Sequence, residues 1–232
     1  MSRYIMDLGK TYSATARFGA VSDTLDAEGG ITALDTPPPP ESAILEALPD
    51  FTGDLLQVPP MASALKRGGT RLYDLHRRGI RVDREPRLVT VNDFELASLD
   101  PATEIATFEI TCSSGTYVRT LIADLAARLG SGAYLTALRR TSVGHLTVKD
   151  AVPPQNLTPE TLRDRIIPPL DVVAHLPSVS VSEVVRDLVC HGRPIKRRGI
   201  PGSYAVMCGG EFLAVYRDEE DQGLAEVVLC AE

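Results

Sequence analysis

Arg119 is the residue whose position most needs a chemical reason. It lies in the first turn of an apparent helix, within CSSGTYVRTLIADLAARLGSGAYLTALRRTSVG from Cys112 to Gly144. The N-terminal end of a helix dipole is positive, so a cation gains nothing there, and a carboxylate or phosphate partner is the chemistry that would place it. A solvated surface arginine is the plain alternative. Lys10 and Tyr12, in KTYSATARFGA, set a cation and a phenol two positions apart on one strand. Asp26, in TLDAEGG, has the sequence context of a turn acid. Cys112 with one of His76, His145, His175 or His191 would be the raw material of a thiol enzyme. None of these histidines has a motif context, however, and a cysteine at a strand end is ordinarily core. The four cysteines, Cys112, Cys190, Cys208 and Cys230, show neither C-x-x-C spacing nor a zinc-type histidine arrangement. They read as reduced, mostly buried thiols, and no metal site is expected.

The elements that must position these groups are legible in part. Tyr12, Ala14, Ala16 and Phe18 alternate with polar residues, which predicts a strand over Lys10 to Ala20. Phe108, Ile110 and Cys112 alternate with Thr107, Glu109 and Thr111 in the same way. Ser113, Ser114 and Gly115 then supply turn chemistry. Tyr117, Leu121, Leu125 and Leu129 recur at helical spacing until Gly130. A short helix is predicted from Glu41 to Leu48 after the stiff Pro37 to Pro40 run. Val58 to Ile80, with a double proline, a double glycine and dense basic charge, reads as an excursion from the sheet that ends in a helix from about Arg71 to Arg78. Arg87 to Leu96 returns as a strand. A short helix follows in Val179 to Cys190. Strands at Tyr204 to Cys208, Phe212 to Tyr216 and Glu226 to Leu229 suggest a β-rich appendage from about residue 172.

Length, composition and charge bound the function. The chain has 232 residues, 44% hydrophobic and 24% charged, as a globular protein does. No apolar run approaches the roughly 18 residues of a membrane span, and no signal peptide is evident, so a cytoplasmic setting without membrane contact is expected. A net charge of −7 taken as a sum argues against a nucleic-acid partner, but its distribution reverses that. No Lys or Arg occurs between Phe18 and Leu65, whereas Lys66, Arg67, Arg71, Arg77, Arg78, Arg81, Arg84 and Arg87, then Arg139 and Arg140, then Arg193, Lys196, Arg197 and Arg198 form three basic clusters. Such clusters grip a phosphate backbone without reading sequence, although any one of them alone could be a solvated face.

In order and spacing, the KTY strand, the PP-x-x-SALK-x-x-G-x-x-LY-x-L segment and the SGTYVR helix closely resemble the TruB-type tRNA pseudouridine synthases, across nearly the whole chain. The resemblance implies an α/β (α+β) fold with a mixed or antiparallel central sheet and flanking helices. It places a catalytic-domain portion over 1–171, with an RNA-clamping insertion at about 58–80, and a small PUA-like RNA-binding domain over 172–232. It further implies a cofactor-free isomerisation of uridine 55 in the T-arm of tRNA. The base is flipped out, its glycosidic bond broken with help from an aspartate, and the base rejoined through carbon. Tyr12 matches the K-x-Y tyrosine expected to contact the flipped base, and Lys10 the motif lysine. Arg119 matches the arginine expected to orient the catalytic aspartate, and Leu138 a residue walling the pocket. Ala62 stands where many relatives carry an aromatic.

The family's nucleophile belongs to a G-x-LDP-x-A-x-G motif ahead of the K-x-Y strand, and only nine residues precede Lys10. Asp26 follows Leu25 as the nucleophile would, but it lies after that strand and lacks the following proline, so it is rejected as the nucleophile and no catalytic aspartate is assigned. Arg119 is then expected to lose its partner unless another acid reaches it. A start called too late, a fragment and a decayed gene are the three accounts, and the helical pattern of Tyr4, Ile5 and Leu8 at Met1 favours the first. A tRNA-binding module or chaperone remnant without chemistry is the functional alternative, and a complete chain is expected to be monomeric.

Overall fold

The computed structural model describes residues 1–230 and, for Arg67, the backbone only. It divides into two compact units, one of Asp7–Ala151 and one joining Met1–Met6 to the residues from Val152 onward.

The first unit is built on a sheet of six strands in the order β10-β9-β1-β8-β7-β4. These are β1 (Lys10–Phe18), β4 (Gly53–Gln57), β7 (Arg87–Asp100), β8 (Ile105–Cys112), β9 (Ala133–Val143) and β10 (Leu146–Thr147), with the hairpins β2 (Ala20–Ser22)/β3 (Ile31–Ala33) and β5 (Lys66–Arg67)/β6 (Thr70–Arg71) outside it. Every pairing in the large sheet is antiparallel. The helices are α1 (Glu41–Ala47), α2 (Leu72–Arg77) and α3 (Val118–Arg128). The expected alternation holds. Ala14, Ala16 and Phe18 of β1 and Phe108, Ile110 and Cys112 of β8 are fully buried, and they join Leu121, Ile122 and Leu125 of α3 in one core. The opposite face carries hydroxyls that bond across the strands, Thr11 to Thr111 at 3.2 Å and Ser142 to Thr11 at 3.0 Å. Hydrophobic burial therefore fixes which face of β1 turns inward, since a one-residue slip would bury the hydroxyls instead.

Strand β9 was not expected from its sequence. The ALRRTSV stretch lacks a period of two because its pairing with β1 shifts register between Thr11 and Tyr12 and again between Thr15 and Ala16. Each bulge resets which side chains face the core.

The second unit holds a five-stranded sheet in the order β11-β13-β14-β15-β12. Its strands are β11 (Ser178–Ser180), β12 (Ile195–Lys196), β13 (Ser203–Cys208), β14 (Glu211–Glu219) and β15 (Gln222–Val228), with helix α4 (Glu183–Cys190). Tyr204, Tyr216, Leu213 and Val189 are fully buried at its centre. The N-terminal helical turn spans Arg3–Met6, short of Leu8, and its Tyr4 hydroxyl donates to Glu226 at 3.0 Å. Cys190 and Cys230 are joined in a disulfide with Cα atoms 5.4 Å apart, which corrects the expectation of four reduced thiols. The end of α4 meets the chain after β15 there, a juxtaposition that their 40-residue separation does not announce. Cys112 and Cys208 are free and buried, as expected. Among the described residues no helix is long and apolar enough to cross a membrane.

Candidate functional site

Arg119 begins the solvent-facing side of α3, whose other side is fixed by Val118, Leu121, Ile122 and Leu125 in the core. Its guanidinium makes three hydrogen bonds. Nη1 donates to Asp26 Oδ2 at 2.5 Å and to the Thr24 carbonyl at 3.1 Å, and Nη2 donates to the Ala62 carbonyl at 2.6 Å. The expected loss of a partner is therefore corrected, because Asp26 supplies the acid. Both side chains of the pair are 23% exposed, so the charges are partly withdrawn from water and their attraction is poorly screened.

Asp26 is a turn acid as well as a partner. Its Oδ1 accepts from the Thr24 hydroxyl at 2.6 Å and from the Glu28 amide at 3.1 Å. Burial alone would push its carboxyl up, but the hydroxyl, the amide and Arg119 together outweigh that and hold it below the usual carboxylate range. Leu25 has φ +65° and the loop closes on itself at Gly29, where a Cβ would overlap the carboxylate of Asp23 and the hydroxyls of Ser22 and Thr24. Only glycine permits that closure, so the loop presents Asp26 in one orientation.

The ion pair separates two hollows. A groove of about 400 Å³ is lined by Asp26, Ala27, Glu28, Arg119 and the β9 residues Leu135 to Leu138. A larger cleft of about 840 Å³ lies between the Asp23–Gly30 loop, the Ala62–Ala64 segment, Tyr73, His76, Arg77 and Tyr117. Leu138, 46% exposed, lines the first together with Arg119. Tyr12 lies across from Arg140 and Ala14 across from Leu138 in the β1–β9 register, so Tyr12, Leu138 and Arg140 share one face. Tyr12 is half-buried and lines neither hollow. Burial raises its pKa, the neighbouring Cys112 adds to this and Arg140 opposes it, so it stays a neutral phenol. Lys10 is nearly buried and donates to the Leu8 carbonyl at 2.7 Å, away from both hollows. Its pKa is lowered, first by burial and then by Arg140.

Of the RNA-binding candidates, Lys66, Arg71, Arg77 and Arg78 are exposed on the 58–80 excursion. The Arg71 and Arg77 guanidinium carbons lie 5.8 and 5.4 Å from the centre of the Tyr73 ring. The side chain of Arg67 lies outside the described residues. Arg139 and Arg140 are both exposed but, as neighbours on β9, point to opposite faces, so the pair does not form a single patch. Arg193, Lys196, Arg197 and Arg198 are exposed in the second unit. Cys112 is fully buried and its thiol is pushed up by that burial, the reverse of an activated nucleophile. Among the described residues no cluster of His, Cys, Asp and Glu is arranged to hold a metal ion.

Sequence reading missed Gln57, which is 4% exposed at the end of β4. Its Nε2 donates to the Tyr117 carbonyl at 3.1 Å and its Oε1 accepts from the Tyr117 amide at 2.7 Å. The side-chain amide acts as a peptide unit, tying the base of the excursion to the residue that starts α3. The only sequence signal was a lone amide before a double proline.

Comparison with known proteins gives this geometry its context. Residues 1–118 match the model of the TruB family pseudouridylate synthase N-terminal domain, and residues 119–173 that of the tRNA pseudouridylate synthase B C-terminal domain. A tRNA pseudouridine synthase B of Azoarcus sp. (strain BH72) is 40% identical over 218 residues, covering 92% of this chain and 72% of that protein. One from Dechloromonas aromatica (strain RCB) is 39% identical over 217 residues, covering 91% and 71%. Among solved structures, a Cbf5-Nop10-Gar1 complex has a TM-score of 0.69 at 23% identity, covering 98% of this chain and 68% of that one. An H/ACA RNP bound to a substrate RNA containing 2'-deoxyuridine has a TM-score of 0.68 at 19% identity, covering 99% and 68%; both likenesses concern the fold.

Proposed function

We propose that this chain, which belongs to the TruB family of pseudouridylate synthases, serves the conversion of uridine 55 to pseudouridine in the T-arm of tRNA, as a cytoplasmic monomer. The observation that carries the reading is the Asp26–Arg119 pair held between two hollows, with Leu138 on one side and the basic excursion on the other. A flipped base needs an apolar wall and polar groups at fixed positions, and unstacking it costs a few kcal/mol that such contacts offset. Leu138 supplies the wall and Tyr12 a neutral aromatic on the same sheet face. The cations of the excursion supply attraction for the backbone. The Arg119 contact to the Ala62 carbonyl ties the excursion to the pocket, so seating RNA on one bears on the geometry of the other.

In this arrangement Asp26 orients Arg119 and does not attack the base. Both of its oxygens are already hydrogen-bonded, and its loop follows the K-x-Y strand. Small residual motion of a positioned group is costly to catalysis, which is the value of an arginine anchored to three oxygens.

The test is conversion of uridine in unmodified tRNA by the chain as written, beside a gel-shift with the same tRNA and with one lacking the T-arm. T-arm-dependent binding is expected; with no nucleophile assigned among these residues, conversion at a single T-arm uridine, lost in Arg119→Ala, would return Asp26 as the candidate. Asp26→Asn then separates its roles, because an orienting acid leaves reduced turnover and a nucleophile leaves none. T-arm-dependent binding without turnover would make the chain a tRNA-binding module, and neither activity would overturn the reading.

A further inference from the structure

The basic loop Arg193 to Arg198 is held from beneath at both ends. At its start, the hydroxyl of the fully buried Tyr216 donates to the Arg193 carbonyl at 2.9 Å. In its middle, Ile195 and Lys196 pair with Gly223 and Gln222 of β15. At its end, three successive amides converge on one carboxylate oxygen. Arg198, Gly199 and Ile200 donate to Asp218 Oδ2 at 2.9, 2.6 and 3.3 Å. The other oxygen accepts from the hydroxyl of Tyr204, itself fully buried, at 2.8 Å.

Consecutive amides arranged this way form an anion-binding concavity, which here is filled by the chain's own acid. Gly199, at φ +74°, supplies the left-handed step that lets the three amides converge. Gly223 is needed for a different reason, since a Cβ there would overlap the Tyr204 hydroxyl on its way to Asp218. The Asp218 charge is therefore satisfied by backbone amides and a phenol. Arg193, Lys196, Arg197 and Arg198 are exposed and take part in no ion pair among the described residues.

We propose that Asp218, braced by Tyr204, is a positioning residue that holds the Arg193–Ile200 loop in one shape, and that the loop so held is a preformed surface for the phosphate backbone of RNA. The proposal rests on the reading of the chain as acting on tRNA. Fixing the loop before binding removes an ordering cost that a mobile loop would meet on association.

Electrostatics and positioning predict opposite signs. Removing an acid beside four cations should tighten RNA binding if charge alone matters, whereas removing the brace should weaken it. The experiment titrates unmodified tRNA into the full chain at several salt concentrations, with thermal unfolding checking each variant's fold. Asp218→Ala is expected to weaken binding about 10-fold, which corresponds to one rotamer-rich segment left to be ordered. Asp218→Asn keeps one acceptor oxygen for the amides and should retain most affinity. Glu219→Gln, which removes a neighbouring acid from the same hairpin without touching the brace, should bind as well or better. Arg197→Ala should weaken binding and lower the salt slope by about one. Combined with Asp218→Ala it should cost less than the sum, because both act through one loop.

A folded Asp218→Ala that binds as tightly as the parent, or losses that simply add, would overturn the proposal. Amide exchange at Arg198 to Ile200 provides a readout without RNA. Protection is expected in the parent and lost in Asp218→Ala, and unchanged protection would also overturn it. If the parent itself fails to bind tRNA while this protection behaves as expected, the functional reading fails and the bracing stands.

Discussion

Asp26 and Asp218 are the same device put to different uses. Each is a carboxylate caught by backbone amides and a hydroxyl, and each is held below the usual carboxylate range although burial pushes the other way. Asp26 gives its remaining oxygen to Arg119 and so commits that cation to a fixed, neutralised position. Asp218 gives both oxygens to backbone and phenol and leaves four cations uncommitted. On the proposed function, the anchored cation would serve geometry at a reacting centre and the free cations on the braced loop affinity along a backbone.

The comparison breaks most decisively at Arg119. Arg119→Ala should lower the rate of pseudouridine formation at least about 100-fold, while tRNA affinity measured by gel-shift changes little, because the residue positions and does not grip. Arg119→Lys should recover only a small part of that rate, since a single ammonium cannot reach three oxygens in a fixed fork. A large loss of affinity in either variant would erase the distinction between the two regions.

A second test concerns stability. Gln57→Leu leaves the Tyr117 amide without a partner, the Tyr117 carbonyl keeping its bond from the Leu121 amide, and should cost about 1–3 kcal/mol in denaturant unfolding. Asp26→Ala removes a charge-assisted hydrogen bond to a partly buried cation and should cost about 1.5–3 kcal/mol, with Asp26→Asn costing less because the amide oxygen still accepts.

The smallest effect is in pH. A carboxylate whose folded pKa is depressed stabilises the protein fully above its unfolded value, near 4, and loses that contribution as pH falls through the lower folded value. Stability should therefore be unaffected by Asp26 and Asp218 titration at neutral pH and fall below about pH 4. The fall should be shallower in Asp26→Asn, measured by urea unfolding at stepped pH. An equally steep fall in that variant would remove Asp26 from the account.

Much of the frame was legible because burial writes a period into sequence. The alternation in β1 and β8 and the helical spacing of Leu121 and Leu125 foretold one sheet face and the helix lying on it, and the clustering of arginines foretold three exposed basic segments. Strand β9 was illegible because two bulges interrupt its period. Between them ordinary strand alternation sends Arg139 and Arg140 to opposite faces. Gln57 was illegible because a buried amide is recognised only by the backbone it replaces.

The sequence by itself determined the family, the inward face of the central strands and the presence of Arg119 at a helix start, since these depend on local periodicity and motif order. Only the tertiary structure decided what those residues meet: Asp26 for Arg119 across 93 positions, Cys190 for Cys230, and Asp218 for the amides of Arg198 to Ile200. Each of these is a polar or covalent contact between distant segments. Such partners are chosen by where sheet packing delivers a side chain, and no local pattern records that destination.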